Sequence, residues 1–160
     1  MIDREALPYR PCAGVMLLNA ENKAFVGQRI DTRIGAWQMP QGGIDKGEDT
    51  ETAAFRELEE ETGVARDLTA LIARASRELF YDLPDDLLGK VWKGKYRGQR
   101  QNWFLARFTG EDGDIDIDTA HPEFSSWQWV EPARLPELIV EFKRTLYEEI
   151  LEEFAPYLAL

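Results

Sequence analysis

Three glutamates, Glu57, Glu60 and Glu61, stand at i, i+3 and i+4 in the stretch TETAAFRELEEET. On an α-helix that spacing puts three carboxylates on one face. Left alone they repel, by roughly 0.2–0.5 kcal/mol per i, i+4 pair, and near a helix C-terminus they also oppose the dipole. Arg56, four residues before Glu60, offsets part of this. The remainder suits a hard divalent cation such as magnesium, which takes carboxylate oxygens and keeps coordination sites for water and substrate phosphates. An ordinary glutamate run is a solvated acidic face. Here Gly42 and Gly43 lie just upstream, and glycine-rich loops bring backbone amides close to phosphates.

The elements around this face follow from pattern. Asp49 and Thr50 can cap a helix start, and Gly63 stands where a left-handed C-terminal cap is wanted. Residues 50–62 are therefore expected to be helical, with Ala54 and Leu58 as a short apolar stripe. Residues 12–19 and 24–31 read as two strands joined by a turn at 19–23. Residues 68–81 fit helix or a long strand by pattern alone. Residues 82–97, with Pro84 and two glycines, form a long loop of the kind that is often functional. Residues 101–108 and 125–130 are strands, and Ile115 and Ile117 alternate with aspartates as a short edge strand. A closing helix is expected over 135–154, with Leu138, Phe142, Leu146, Ile150 and Phe154 as its packing stripe. The expected class is α/β, a mixed sheet covered by helices, in one domain over residues 1–160.

With 44% hydrophobic and 31% charged residues, the composition is that of a soluble globular protein. The single cysteine, Cys12, excludes an intrachain disulfide, fits a reducing compartment, and lies in an apolar run that marks it as a small buried hydrophobe. The N-terminus MIDREALPYRP lacks the pattern of a signal peptide, and no apolar stretch approaches a membrane span. A cytoplasmic location is expected. A net charge of −11 opposes indiscriminate binding to polyanions. Residues 89–101 nevertheless carry Lys90, Lys93, Lys95, Arg97 and Arg100 with no acid among them, enough for local contact with a polyphosphate.

The spacing Gly42-x5-Glu48-x7-Arg56-Glu57-Leu58-x-Glu60-Glu61-x-Gly63-Val64 resembles the full signature of the Nudix hydrolases, with no position departing from it. Further stretches, Tyr9-Arg10-Pro11, Trp37 to Gly43, Gly98-Gln99-Arg100-Gln101-x-Trp103, Pro122-Glu123-Phe124 and Phe142-Lys143-Arg144, resemble one subgroup, the bacterial RNA pyrophosphohydrolases and related diadenosine polyphosphate hydrolases, most of all the alphaproteobacterial members. The resemblance implies a Nudix fold with a strand in 68–81. It implies Glu57, Glu60 and Glu61 as ligands of magnesium or manganese, with a Gly42 or Gly43 carbonyl completing the shell and Arg56 orienting the carboxylates. Glu123 is implied near the metals, so that Glu57 and Glu123 are both candidates for general base. Glu48 is expected to support the site rather than bind metal. Arg10, Arg29 and Lys143 are implied on the substrate's phosphates, and Tyr81 near the nucleotide.

Outside the resemblance, His121 before a proline reads as incidental, Trp103, Trp127 and Trp129 as core or wall, and Trp92 and Tyr96 as candidates for base stacking. Two function classes remain. One is a metal-dependent hydrolase that removes pyrophosphate from a 5′-triphosphate RNA end or splits diadenosine tetra- or pentaphosphate to ATP plus AMP or ADP. The other is a catalytically silent nucleotide- or RNA-binding module, which should have lost at least one of Glu57, Glu60 and Glu61. All three are present, which favours the enzyme. The expected partners are thus 5′-triphosphorylated RNA or a dinucleoside polyphosphate; neither DNA nor a membrane is expected, and a monomer suffices.

Overall fold

The most apolar run of the chain becomes the centre of the sheet. Every residue from Cys12 to Leu18 is buried, so β1 (Tyr9–Leu18) is covered on both faces, as a near-continuous hydrophobic strand must be. The computed structural model describes residues 2–30 and 35–158. Among them eight strands form one mixed sheet: β1, β2 (Ala24–Arg29), β3 (Trp37–Gln38), β4 (Gln41–Gly43), β5 (Thr69–Arg74), β6 (Leu79–Asp82), β7 (Gly98–Phe108) and β8 (Phe124–Val130). β1 runs parallel to β7, with Tyr9 opposite Gly98 and Leu18 opposite Arg107. The other pairings are antiparallel: β2, β4 with β1; β3, β8 with β2; β5, β6 with β7.

Alternation along β1 and β7 feeds two cores. Ala13, Val15, Leu17, Phe104 and Ala106 pack against Ala54, Phe55 and Leu58 of α1 (Thr50–Thr62). Met16, Leu18, Trp103 and Leu105 pack against Leu146, Ile150 and Phe154 of α3 (Arg144–Leu158). The mixed sheet therefore lies between helical layers, as expected for an α/β Nudix fold.

The expected helix 50–62 is found over Thr50–Thr62. Asp49 accepts from the Thr52 amide, and Gly63 takes a left-handed φ of 74°. Several expectations need correction. Residues 68–81 are not one strand but β5 and β6. Between them Glu153 of α3 accepts from the Ser76 amide at 2.6 Å and its hydroxyl at 2.8 Å, drawing that segment off the sheet. Ile115 and Ile117 form no strand. The Asp116 amide instead donates to the Thr62 carbonyl at 2.8 Å and the Thr119 hydroxyl to the Glu60 carbonyl at 2.6 Å, so this segment caps the C-terminus of α1.

The closing helix is broken into α2 (Leu135–Leu138) and α3, because Ile139 is extended (ψ 157°) and Val140 also leaves the helical region (ψ 142°). Two consecutive β-branched residues favour that conformation. Finally, the loop 82–97 contains a 3-10 turn, Val91–Gly94, in which Trp92 and Lys93 hold left-handed φ values of 50° and 59°. The expected strand 24–31 ends at Arg29, and Asp31 lies outside the described residues.

Candidate active site

The motif glycines act as a slot. A Cβ on Gly42 would overlap the Glu57 carboxyl group, and one on Gly43 would lie 2.6 Å from Arg10 Nη2. Only bare backbone lets an acidic group and a cationic group approach adjacent residues of the same short strand. Arg56 then ties the acids together. Its Nε and Nη2 donate to the two oxygens of Glu48 at 2.7 and 2.9 Å, and Nη1 to Glu57 at 3.0 Å and Glu60 at 3.2 Å. Nη2 also donates to the Gly43 carbonyl at 2.9 Å, which ties the glycine strand to the same arginine. Arg56 holds the Glu48 carboxyl at about 2. Glu48 is thus the anchor of Arg56, in keeping with its expected supporting part.

Glu57, Glu60, Glu61, Glu123, Gly42, Arg10, Arg29, Tyr81 and Lys143 all line one cavity of about 380 Å³. Arg56 is not among the lining residues; it lies behind the carboxylates and positions them. The three helix glutamates differ sharply in setting. Glu60 keeps half of its side chain exposed, whereas Glu61 is only 2% exposed. Burial pushes the Glu61 carboxyl well above its ordinary range, and the nearby Glu57 and Glu123 charges push it further. Burial raises Glu57 as well, against the pull of Arg56. Glu61 Oε2 is buried without a hydrogen-bond partner. A buried carboxylate oxygen facing two further acids calls for a cation or a proton.

Among the described residues, no three acidic, histidine or cysteine side chains converge tightly enough to make a ready-built metal cage. A hydrated divalent ion does not need one, because magnesium keeps several waters and is commonly held by one or two carboxylates plus phosphate oxygens. The unpartnered Glu61 oxygen and the surrounding acids fit such an ion.

The cationic side is built on the sheet. Arg10 of β1, Gln99 of β7 and Tyr81 of β6 are register partners and so share one face. Lys143 lies with Nζ 5.1 Å from the centre of the Tyr81 ring. It reaches the cavity because the chain turns at Ile139–Val140. Arg29, at the end of β2, is 3.9 Å from Glu123. A second cavity of about 380 Å³, largely apolar, shares Arg29, Gln38, Tyr81, Trp92 and Lys143 with the first and continues past Leu83, Val91 and Phe142.

Several lining residues escaped the sequence reading. Gln38, Gln41 and Gln99 had no assigned part, and His121, expected to be incidental, lines the cavity beside Glu123. The glutamines lie within stretches that carry the family resemblance, but no role for them was implied there. Trp92 lines both cavities, and Tyr96 supports it edge-on at 6.2 Å. Trp103 is core, and Trp127 and Trp129 pack on Phe25, as expected. Within the basic segment, Arg97 is bound to Asp82 at 2.9 Å and the exposed Arg100 to Glu78 at 3.1 Å, and Lys90, Lys93 and Lys95 are exposed as well.

A sheet between helices, with an arginine-laced glutamate helix facing a cationic cavity, is the arrangement of a phosphoanhydride hydrolase. The family model described as NUDIX domain matches residues 8–150, and the chain belongs to that family. It is a hydrolase acting on phosphoanhydride bonds. Among similar proteins, one of Sphingopyxis alaskensis named RNA pyrophosphohydrolase is 64% identical over 156 residues, covering 98% of this chain and 99% of that one. Another of the same name, from Novosphingobium aromaticivorans, is 61% identical over 150 residues, covering 92% and 93%. The fold matches a solved Ap4A hydrolase of C. elegans with a TM-score of 0.67 at 21% identity, covering 92% of this chain and 99% of that chain. It also matches the E. coli dihydroneopterin triphosphate pyrophosphohydrolase with a TM-score of 0.69 at 20% identity, covering 91% and 98%.

Proposed function

We propose that the protein removes pyrophosphate from the 5′-triphosphate end of RNA, acting as one domain in the cytoplasm with magnesium, or manganese, at Glu57, Glu60, Glu61 and Glu123. One observation carries this reading: the four glutamates and the cations Arg10, Arg29 and Lys143 line the same cavity. The names of the relatives support RNA as the substrate.

A bound divalent ion supplies charge neutralisation at phosphate oxygens and lowers the pKa of its water. The protein's own residues do the rest. Arg10, Arg29 and Lys143 hold the phosphate chain and set its direction, fixing the reacting phosphorus for in-line attack. Arg56 keeps Glu57 and Glu60 aimed into the cavity. Glu123 takes the proton of the attacking water as general base. It is favoured over Glu57 because Arg56 holds Glu57 by a 3.0 Å hydrogen bond, whereas the contact of Glu123 with Arg29 is longer, 3.9 Å, and Glu123 keeps 48% of its side chain exposed in the loop before β8. The apolar cavity beside Tyr81 and Trp92 receives a nucleobase, and Lys90, Lys93 and Lys95 meet the phosphates of following nucleotides.

The test is a side-by-side assay of 5′-triphosphorylated RNA and diadenosine tetraphosphate with magnesium, Glu60→Gln serving as control. A much higher kcat/KM on RNA, with pyrophosphate released and a 5′-monophosphate left, supports the proposal. Faster cleavage of the dinucleotide to ATP plus AMP makes the protein a dinucleoside polyphosphate hydrolase. Cleavage of neither overturns the reading of the carboxylate face.

A further inference from the structure

Gln99, Gln101 and Trp103 stand at alternate positions of β7 and point to one face. All three are almost fully buried, and they are linked in a chain. The Trp103 indole Nε1–H donates to Gln101 Oε1 at 2.6 Å, and Gln101 Nε2 donates to Gln99 Oε1 at 2.7 Å. An indole nitrogen can only donate. Gln101 must therefore turn its oxygen toward Trp103 and its amide nitrogen toward Gln99. Gln99 in turn must accept with its oxygen, which leaves its NH2 group on the side of the cavity that it lines. The reverse orientation would set N–H against N–H at Trp103.

The anchor of this chain is itself fixed. A Cβ on Gly14 would be 2.7 Å from Trp103 Cη2, so the glycine makes room for the ring across β1, and Tyr147 meets it edge-on at 6.4 Å. Gln101 lies between its register partners Cys12 and Leu79, both fully buried, which offer its carboxamide no competing partner of comparable strength. Gln99 lies between Arg10 and Tyr81 in the cavity row. We infer that Trp103 and Gln101 are positioning residues that lock Gln99 with its two N–H donors facing the cavity, where they bind a non-bridging phosphate oxygen beside Arg10. The inference rests on the reading of that cavity as the phosphate site. It also implies discrimination, because a locked donor rejects any ligand that presents a donor at that point.

The experiment compares wild type with Trp103→Phe, which keeps a ring but loses the donor, and with Gln101→Leu, which keeps much of the volume but removes both links of the chain. Either change frees the Gln99 amide to turn its oxygen into the cavity. Binding of a non-hydrolysable nucleoside triphosphate analogue is measured by calorimetry, together with kcat and KM. Side-chain amide NMR of 15N-labelled protein follows Gln99, identified by the signal lost in Gln99→Met. For Trp103→Phe the expected result is Kd and KM raised about tenfold with kcat within about twofold, the loss of one hydrogen bond to a charged acceptor. Gln101→Leu should weaken binding by about as much as Trp103→Phe, and neither by more than Gln99→Met, which removes the donor itself. In wild type the Gln99 amide signals should shift on adding the analogue. The inference is overturned if the folded Trp103→Phe protein binds as wild type does while Arg10→Ala binds weakly. If Arg10→Ala also binds as wild type, the phosphate-site reading itself has failed.

Discussion

At the residue scale, the glutamates of the motif are divided by their surroundings into two kinds. Glu48 is held by two hydrogen bonds from Arg56, which lower its carboxyl from 4.5 to about 2. A group whose folded pKa is depressed gives stability that is present above the unfolded value and lost as pH falls through the folded one. Glu48→Gln should therefore lower the thermal midpoint at pH 7, and its deficit against wild type should shrink as pH falls below about 4.5 toward 2. Thermal unfolding across that range checks it. Glu61 is the opposite kind, a buried carboxyl raised by desolvation and by its acidic neighbours. Its ionised form needs a cation. Added magnesium should raise the thermal midpoint of the chelator-treated wild type, and Glu61→Gln should reduce that gain while making the metal-free protein more stable. Equal gains in both proteins would remove Glu61 from the proposed ligand set.

At the element scale, the motif helix, its cap and its glycine strand behave as one part. Gly63 ends α1, and the segment at Asp116 and Thr119 binds the carbonyls of Thr62 and Glu60. The carboxylates thus project from a helix whose last turn is fixed at both the backbone and the side-chain level. The short strand β4 must remain bare for Glu57 to lie against it. Gly42→Ala should fold, since its backbone is not left-handed, but should displace Glu57. We expect kcat to fall by about 10²-fold or more, the usual cost of misplacing a catalytic group by about 1 Å, with circular dichroism unchanged. The loop 82–97 is an element of another sort. Its Arg97 is paired with Asp82, and Arg100 beyond it in β7 with Glu78, so its reach toward nucleic acid depends on the exposed Lys90, Lys93 and Lys95. Lys93→Gln with Lys95→Gln should weaken turnover of long RNA more than that of diadenosine tetraphosphate. Equal losses on both would sink the assignment of this loop to RNA.

At the scale of the whole molecule, the two helical layers meet the site from opposite faces of the sheet. α1 brings the acids, and the turn between α2 and α3 brings Phe142 and Lys143. Tyr147 of α3 links them: fully enclosed, its hydroxyl accepts from the Met39 amide at 2.8 Å, just before the motif strand. Tyr147→Phe leaves that buried amide without a partner, a loss of about 1–3 kcal/mol that denaturant unfolding would measure. A midpoint within error of wild type would mean that water or a shift of the strand takes over the bond.

The sequence by itself determined the local features of this protein. Helix 50–62 was readable because Asp49, the i, i+3, i+4 glutamates and Gly63 are signals confined to one turn or one cap. The strand at 12–19 was readable from a short apolar run ending at a turn, though its central place in the sheet was not. The tertiary structure decided what depends on distant partners. Residues 68–81 became two strands because Glu153, far along the chain, takes the Ser76 amide. Residues 115–117 alternate like a strand but cap α1 instead, the Asp116 amide taking the Thr62 carbonyl. The stripe over 135–154 was right that Leu138, Phe142, Leu146, Ile150 and Phe154 pack on one core, and the break at Ile139–Val140 was hidden by that same periodicity. His121 and Gln99 entered the cavity only through the pairing of β7 with β1 and the approach of the loop before β8. Residue type announces chemistry along the chain; which groups share a cavity depends on strand register and on long-range hydrogen bonds, and a single sequence carries no local mark of either.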